Sequence, residues 1–183
     1  MIEIDIKTLP LKAAILFNKR GYIDNQTAII HILSVYKITD EANTISDTEL
    51  WIAFDDVVDK NHINAMNMEH AEIIKHFVFA LPREITTLII CCAGGFSRSP
   101  AIAAGILKGL GYSDTHIWKN PRYSPNMLCY RMMLKAYGKS TVFACLKKCI
   151  NKKAFSKAQR KKKVEVPRSW MNHTTSPATK TQN

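Results

Sequence analysis

The chain has 183 residues and a formal net charge of +11, and 46% of its residues are hydrophobic, so it can form one domain with a sizeable core. Its five cysteines are an odd number with two adjacent, which argues against the disulfide framework of small secreted domains and against paired Cys-x-x-Cys zinc motifs. No apolar run reaches about 18 residues, so no transmembrane segment is expected, and the alternating N-terminal residues do not resemble a signal peptide.

Apolar periodicity predicts alternating strands and helices over the first three quarters of the chain. In chain order we expect strands at 2–7, 27–35, 50–54 and 86–91, with a polar loop at 39–49 and an ambiguous segment at 11–17. Helices are expected at 68–81, 100–110 and 127–137, and a short helix or loop at 113–119. Ser124 is the expected N-cap of the last helix, with Pro125 at its first position.

This alternation predicts an α/β fold of three layers, in which helices flank a mainly parallel four-stranded sheet. Residues 1–138 contain equal numbers of basic and acidic residues and are expected to form the folded domain. Residues 139–183 contain 12 lysines and arginines and a single acid, Glu165, and therefore carry the whole charge excess.

The segment 139–183 is expected to be a basic tail that is helical over about 140–159 and then disordered. Its lysine clusters could contact nucleic acid, an anionic membrane surface or an acidic protein. Alternatively, the tail is simply solvated and aids solubility.

The strongest functional signal lies between the fourth predicted strand and the following helix. The segment reads Cys92-Ala93-Gly94-Gly95-Phe96-Ser97-Arg98-Ser99, with five residues between the cysteine and the arginine. A loop of this length can surround one tetrahedral anion, because its N–H groups point inward and the next helix adds the positive end of its dipole. Its position at the carboxyl end of a strand is where α/β folds bind ligands.

Each residue type in this segment suits the attack of a thiolate on a phosphate monoester. Arg98 presents a planar fork that can hold two phosphate oxygens, which a lysine cannot do. Gly94 and Gly95 allow unusual backbone conformations and a close approach to the ligand. The helix dipole, the loop amides and Arg98 all favour the thiolate form of Cys92. Ser99 could donate a hydrogen bond to the sulfur when it departs.

These residues resemble the loop of the cysteine-dependent protein tyrosine and dual-specificity phosphatases, and most closely that of the small bacterial-type members. The family loop is His-Cys-x-x-Gly-x-x-Arg-Ser/Thr, and this chain differs by having Cys91 in place of the histidine. The resemblance implies that Cys92 is the nucleophile, that Arg98 clamps the phosphate and that Ser99 assists the leaving sulfur. The implied phosphate-binding residues are Ala93, Gly94, Gly95, Phe96, Ser97 and Arg98. No metal or cofactor is implied.

Cys91 is interpreted as a buried apolar residue at the end of the strand. The alternative is a protective disulfide or sulfenic-acid partner for Cys92.

The leaving group also needs a general acid, which the family supplies from a loop upstream of the cysteine. Asp55, Asp56 and Asp59 follow the third predicted strand and precede Cys92 by 37, 36 and 33 residues. We favour Asp56, then Asp55. Neighbours in an extended chain point in opposite directions, so one of the two would instead orient the loop. An acid that precedes the cysteine is typical of the tyrosine and dual-specificity phosphatases.

In the bacterial-type relatives a Pro-Asn pair and a tyrosine-containing helix close the domain, and Pro125, Asn126 and Tyr130 match that pattern. Asn126 is expected either to brace the cysteine loop or simply to start the helix.

The sequence therefore predicts a cytoplasmic phosphomonoester hydrolase, a protein tyrosine or dual-specificity phosphatase that acts on a phosphorylated protein through a phosphocysteine intermediate. A reducing cytoplasm is consistent with unpaired cysteines. Two alternatives stay open: a catalytically weak phosphate-binding adaptor, and an RNA 5′-phosphatase that uses the basic tail.

Overall fold

A computed structural model of the protein describes residues 4–37 and 46–164. Within these ranges four strands form one sheet: β1 (Asp5–Pro10), β2 (Thr27–Leu33), β3 (Glu49–Ala53) and β4 (Thr87–Cys92). The described helices are α1 (Leu11–Lys19), α2 (Met68–Ala80), α3 (Arg98–Gly109), α4 (Thr115–Lys119), α5 (Met127–Ala136) and α6 (Ala144–Val164), with a 3-10 turn at Val35–Lys37. The strand order is β1-β4-β2-β3 and every pair is parallel. The predicted α/β class and four-stranded sheet are confirmed.

The sheet separates two hydrophobic clusters because side chains alternate between its faces. On β4, Ile89 and Cys91 face the small cluster under α1. Leu88, Ile90 and Cys92 face the larger core, which α2, α3 and α5 complete. The domain therefore has three layers, and Cys92 lies on the side of the sheet that α3 covers.

Close packing of α3 against α5 brings the start of α5 next to the end of β4. A Cβ on Gly105 of α3 would overlap the side chain of Met133 on α5. Small residues at such a crossing let two helix backbones approach each other closely.

The predicted start of α5 at residue 127 is confirmed, but its N-cap differs from the prediction. The N-cap is Asn126, whose side-chain oxygen accepts hydrogen bonds from the N–H groups of Leu128 and Cys129. The prediction that Ser124 caps this helix is therefore wrong. An asparagine oxygen two residues later in the chain reaches the unpaired N–H groups of the first turn, so Met127 and not Pro125 takes the first helical position, in agreement with the predicted range 127–137.

Helix α6 packs the basic C-terminal segment onto the domain. Ala144 is buried, and Lys147 Nζ lies 2.6 Å from Asp114 Oδ1. Asn151 donates to the carbonyl oxygens of Trp118 and Tyr123, at 3.3 and 2.9 Å. The helix predicted at 140–159 thus corresponds to α6, and the disordered end predicted beyond it falls largely on residues 165–183, outside the described residues. None of the helices described here is both long and apolar enough to cross a membrane.

Candidate functional site

The cysteine loop, residues 92–98, joins the carboxyl end of β4 to the first turn of α3. Arg98 is already the first residue of α3, two positions earlier than the predicted start of the helix. Ser97 is its N-cap residue. The loop therefore curls over the N-terminus of a 12-residue helix, where backbone N–H groups and the helix dipole favour an anion.

Two glycines of this loop lie in close contact with other parts of the protein. Gly95 has a φ of +69°, and a Cβ there would lie 2.6 Å from the backbone nitrogen of Pro10 and 2.7 Å from the carbonyl carbon of Leu9. A Cβ on Gly94 would overlap the ring of Phe96. Gly95 is thus required by its left-handed backbone and by the close approach of β1, whereas Gly94 makes room for an aromatic ring.

The thiol of Cys92 is buried at the base of the loop, where its residue is 2% exposed. Its Sγ lies 3.3 Å from the Oγ of Ser99, which is fully buried in the first turn of α3. The hydroxyl can therefore donate a hydrogen bond to a thiolate at Cys92, the contact that the sequence analysis expected of Ser99.

Arg98 is held by backbone carbonyls at the carboxyl ends of β2 and β3. Its Nη1 donates to the oxygens of Leu33 and Phe54, at 2.9 and 2.6 Å, and its Nη2 donates to Ser34 Oγ at 3.3 Å. The residue is 3% exposed, and among the described residues its Nε has no hydrogen-bond partner. A buried donor of this kind is costly unless an acceptor satisfies it, so the Nε edge of the guanidinium is suited to binding an anion.

The three candidate acids have different positions. Asp55 is bound by the Val35 N–H and by Asn64 Nδ2, at 3.0 and 3.1 Å, and so joins two loops. Asp59 accepts from the N–H of Asn61 in an exposed turn.

Asp56 is the candidate acid that contacts the cysteine loop. Its Oδ1 accepts hydrogen bonds from Ser97 Oγ at 2.8 Å and from Asn126 Nδ2 at 2.7 Å. Both bonds go to the same oxygen, and Oδ2 takes part in neither. The carboxylate is thus fixed at the loop while its second oxygen remains available for proton transfer.

Asn126 has both of the functions that the sequence left as alternatives. Its side-chain oxygen caps α5, and its Nδ2 donates to Asp56 and to the Val57 carbonyl. Its backbone N–H donates to the carbonyl of Ser97. A single buried amide therefore ties the start of α5 both to the cysteine loop and to the candidate acid.

Cys91 lies on the opposite face of the sheet from Cys92, as alternation along a strand requires. It is fully buried, which confirms its interpretation as a buried residue of the strand. Its Sγ lies 3.3 Å from Nδ1 of His31, whose ring stacks on Trp51 with 3.7 Å between centroids. Because the two side chains lie on opposite faces of the sheet, the sulfur of Cys91 does not face the sulfur of Cys92.

Burial keeps the Cys91–His31 pair neutral. Burial, and secondarily the charge at Cys92, raises the pKa of Cys91 to about 12. Burial also lowers the pKa of His31 to about 4, although Glu49 opposes the shift. At neutral pH the two groups form a thiol–imidazole contact rather than an ion pair, so they act as core residues behind the loop.

A cleft of about 410 Å³ opens above the cysteine loop. The residues that line it are Ser34, Tyr36, Asp55, Asp56, Val57, Cys92, Ala93, Gly94, Phe96, Ser97 and Arg98. The predicted nucleophile, arginine clamp and two of the candidate acids thus share one cavity. Ser34 and Tyr36 also reach the cleft, from the segment after β2, and were not predicted from the sequence. The available signal was two polar side chains within three residues of the end of a buried parallel strand.

Among the described residues no group of three or more His, Cys, Asp or Glu side chains is placed to hold a metal ion. No protein-family model and no curated protein sequence matches the chain. The functional assignment therefore depends on the sequence motif and on the geometry of this cleft.

Proposed function

We propose that the protein is a cysteine-dependent phosphatase of the protein tyrosine or dual-specificity type, which hydrolyses phosphate monoesters on a protein substrate. The observation that carries this proposal is that Cys92, Asp56 and Arg98 line one cleft. The buried Nε of Arg98 has no hydrogen-bond partner among the described residues. A nucleophile, an acid and a positively charged anion clamp are the groups that phosphoryl transfer requires.

In the first chemical step the thiolate of Cys92 attacks phosphorus. A P–S bond forms and the P–O bond to the substrate breaks, while Asp56 gives its proton to the departing oxygen. Arg98 and the loop N–H groups hold the three equatorial oxygens, on which negative charge is concentrated in the transition state.

In the second step water hydrolyses the phosphocysteine. The Asp56 carboxylate now accepts a proton from water, whose oxygen attacks phosphorus as the P–S bond breaks. The Ser99 hydroxyl, 3.3 Å from the sulfur, donates a hydrogen bond to the departing thiolate. Inorganic phosphate leaves and the enzyme returns to its starting protonation state.

We assign the reaction to the cytoplasm, because a thiolate nucleophile stays reduced there. The described cysteines are all unpaired, which is consistent with that assignment.

The test is hydrolysis of para-nitrophenyl phosphate by the wild type, Cys92→Ser and Arg98→Lys. We expect turnover by the wild type that vanadate inhibits, no turnover by Cys92→Ser, and a large loss in Arg98→Lys, because lysine keeps the charge but not the planar fork. Wild-type turnover no higher than that of Cys92→Ser would contradict the proposal. If Cys92→Ser nevertheless bound phosphopeptide, the phosphate-binding adaptor would become the better assignment.

A further inference from the structure

A second concave surface adjoins the cleft, and the proposed chemistry uses none of its residues beyond the two that it shares with the cleft. This surface, the α5 groove, has a volume of about 820 Å³ and shares Asp56 and Ser97 with the cleft. It is lined by Asp56, Val58, Lys60, Ser97, Ser124, Pro125, Asn126, Met127, Leu128, Arg131, Met132, Lys135, Thr141, Cys145 and Lys148. A ligand bound at the cysteine loop could therefore extend directly into the groove.

The groove is strongly basic. Lys60, Arg131, Lys135 and Lys148 line it and are exposed, and none of them forms an ion pair with a described residue. The single acid among the lining residues is Asp56, which already accepts two hydrogen bonds. Four cations without carboxylate partners produce a positive potential that attracts an anionic ligand.

Two of the cations project from one face of α5. Arg131 and Lys135 are four residues apart and so lie one helical turn from each other. With a rise of 1.5 Å per residue, they lie roughly 8 and 14 Å along the helix from its N-cap at the cysteine loop. An extended polypeptide covers that span in about two to four residues.

The rest of the lining favours a polypeptide over a nucleic acid. Met127, Leu128 and Met132 add apolar side chains to the lining, and flexible methionine side chains can adapt to different partners. Among the described residues that line the groove there is no aromatic side chain. Proteins that bind single-stranded nucleic acid stack bases on aromatic rings, and the groove offers no such ring.

We propose that the α5 groove binds acidic side chains of the polypeptide substrate, about two to four residues from the phosphorylated residue. The inference rests on the proposed function, because the phosphorylated residue is taken to occupy the cleft. The groove then acts as a specificity site that selects phosphorylated residues in acidic surroundings.

The experiment compares phosphotyrosine peptides that differ in Glu or Gln at the second to fourth positions on either side. The enzyme forms are the wild type, the double variant Arg131→Ala/Lys135→Ala, and a charge-matched control, Lys12→Ala/Lys19→Ala, on α1 across the sheet. We expect the ratio of kcat/KM for Glu over Gln peptides to fall roughly three- to tenfold in the groove variant, the size expected for two exposed charge pairs. The control should keep the wild-type ratio, and the wild-type preference should weaken with added salt.

Binding to Cys92→Ser, measured by fluorescence anisotropy with the same peptides, separates the two proposals. If the wild type hydrolyses no peptide, the proposed function fails, and the affinities of Cys92→Ser with and without the groove substitutions still decide the role of the groove. Equal affinity for Glu and Gln peptides would overturn the inference. So would a 5′-phosphorylated RNA that binds more tightly than the acidic peptide and loses affinity in the groove variant.

Discussion

Asp55 and Asp56 are adjacent and chemically identical, yet only Asp56 contacts the cysteine loop. Alternation along an extended chain predicted that they would point in opposite directions. It did not predict which one would face the loop, because the partners of Asp56 are Ser97 and Asn126, 41 and 70 residues further along the chain. Choosing between neighbouring residues of one type required the tertiary structure.

Substitution of Asp56 by Asn tests its role as the acid. The amide keeps the shape and an acceptor oxygen, but it can neither give a proton to the leaving group nor take one from the attacking water. We expect kcat for para-nitrophenyl phosphate to fall roughly a hundredfold, within the range for general acids. The decline in rate toward alkaline pH, which reports deprotonation of the acid, should disappear from the pH profile of kcat.

Asp55→Asn is the matched control. It weakens contacts to the Val35 N–H and Asn64, so we expect lower stability but a pH profile of the wild-type shape. If Asp55→Asn lost the alkaline decline and Asp56→Asn kept it, the two roles would be reversed.

At the scale of single elements, the sequence predicted long and strongly patterned segments better than their ends. The apolar runs of β2 and β4 and the amphipathic pattern of α2 were sufficient to predict those elements. Residues 11–17 stayed ambiguous because a short apolar run has no distinctive period, and they form α1. The start of α5 at residue 127 was predicted, but its N-cap was assigned to Ser124 instead of Asn126, an asparagine that also contacts residues remote in sequence.

The two functions of Asn126 can be separated with Asn126→Asp. Aspartate is an equally good N-cap, so the cap of α5 is kept, and any loss of stability in urea denaturation comes from the lost Nδ2 contacts and the added charge. The substitution removes the Nδ2 donor to Asp56 and introduces a negative charge 2.7 Å from its carboxylate. We expect kcat/KM for para-nitrophenyl phosphate to fall roughly tenfold or more, because the acid is no longer held in position.

Asn126→Ala is the companion variant, since it removes the cap as well. It should lose both stability and activity. Full activity in Asn126→Asp would contradict the positioning role assigned to this amide.

At the scale of the whole molecule, the parallel sheet explains why residues far apart in sequence share one cleft. The segments after β2, β3 and β4 all leave the same edge of the sheet, so Ser34, Asp56 and Cys92 meet there. Chain order and strand patterning were enough to predict this edge. The α5 groove was not predictable, because it combines a loop after β3, a helix face and a basic segment that was expected to be a separate tail.

Docking of α6 depends on a buried carboxylate. Burial alone would raise the pKa of Asp114, but hydrogen bonds from Lys147, Tyr130 and Trp118 outweigh it and lower the pKa. A carboxyl group whose pKa is lower in the folded state stabilises the fold above its unfolded pKa, and this contribution is lost as pH falls through the folded value. The contribution of this contact should therefore be complete at neutral pH and disappear in acid.

We expect Lys147→Met to lower the free energy of unfolding by roughly 2 kcal/mol at pH 7, the range for a hydrogen bond to a charged group. The difference from the wild type should begin to shrink as pH falls below the ordinary pKa of an aspartate, about 3.9, and should disappear as pH falls through the lower folded-state pKa of Asp114. Urea titrations followed by circular dichroism, at pH 7 and in acid, measure this difference in the free energy of unfolding.

Lys148→Met is the control. It removes the same charge from the next residue, which has no ion pair to a described residue, and should have little effect on stability. Equal effects of the two substitutions would rule out a specific role for the Asp114 contact.

The central claim is that phosphate passes through the sulfur of Cys92, and trapping the intermediate tests it most directly. The protein is mixed with excess phosphotyrosine peptide, quenched in acid within milliseconds to seconds, digested and analysed by mass spectrometry. We predict one phosphoryl group on Cys92. When an aryl phosphate with a good leaving group replaces the peptide, Asp56→Asn should accumulate more phosphocysteine than the wild type, because hydrolysis of the intermediate then lacks its base. Release of phosphate at the wild-type rate by Cys92→Ser, or turnover with no label on Cys92 at any quench time, would contradict the account.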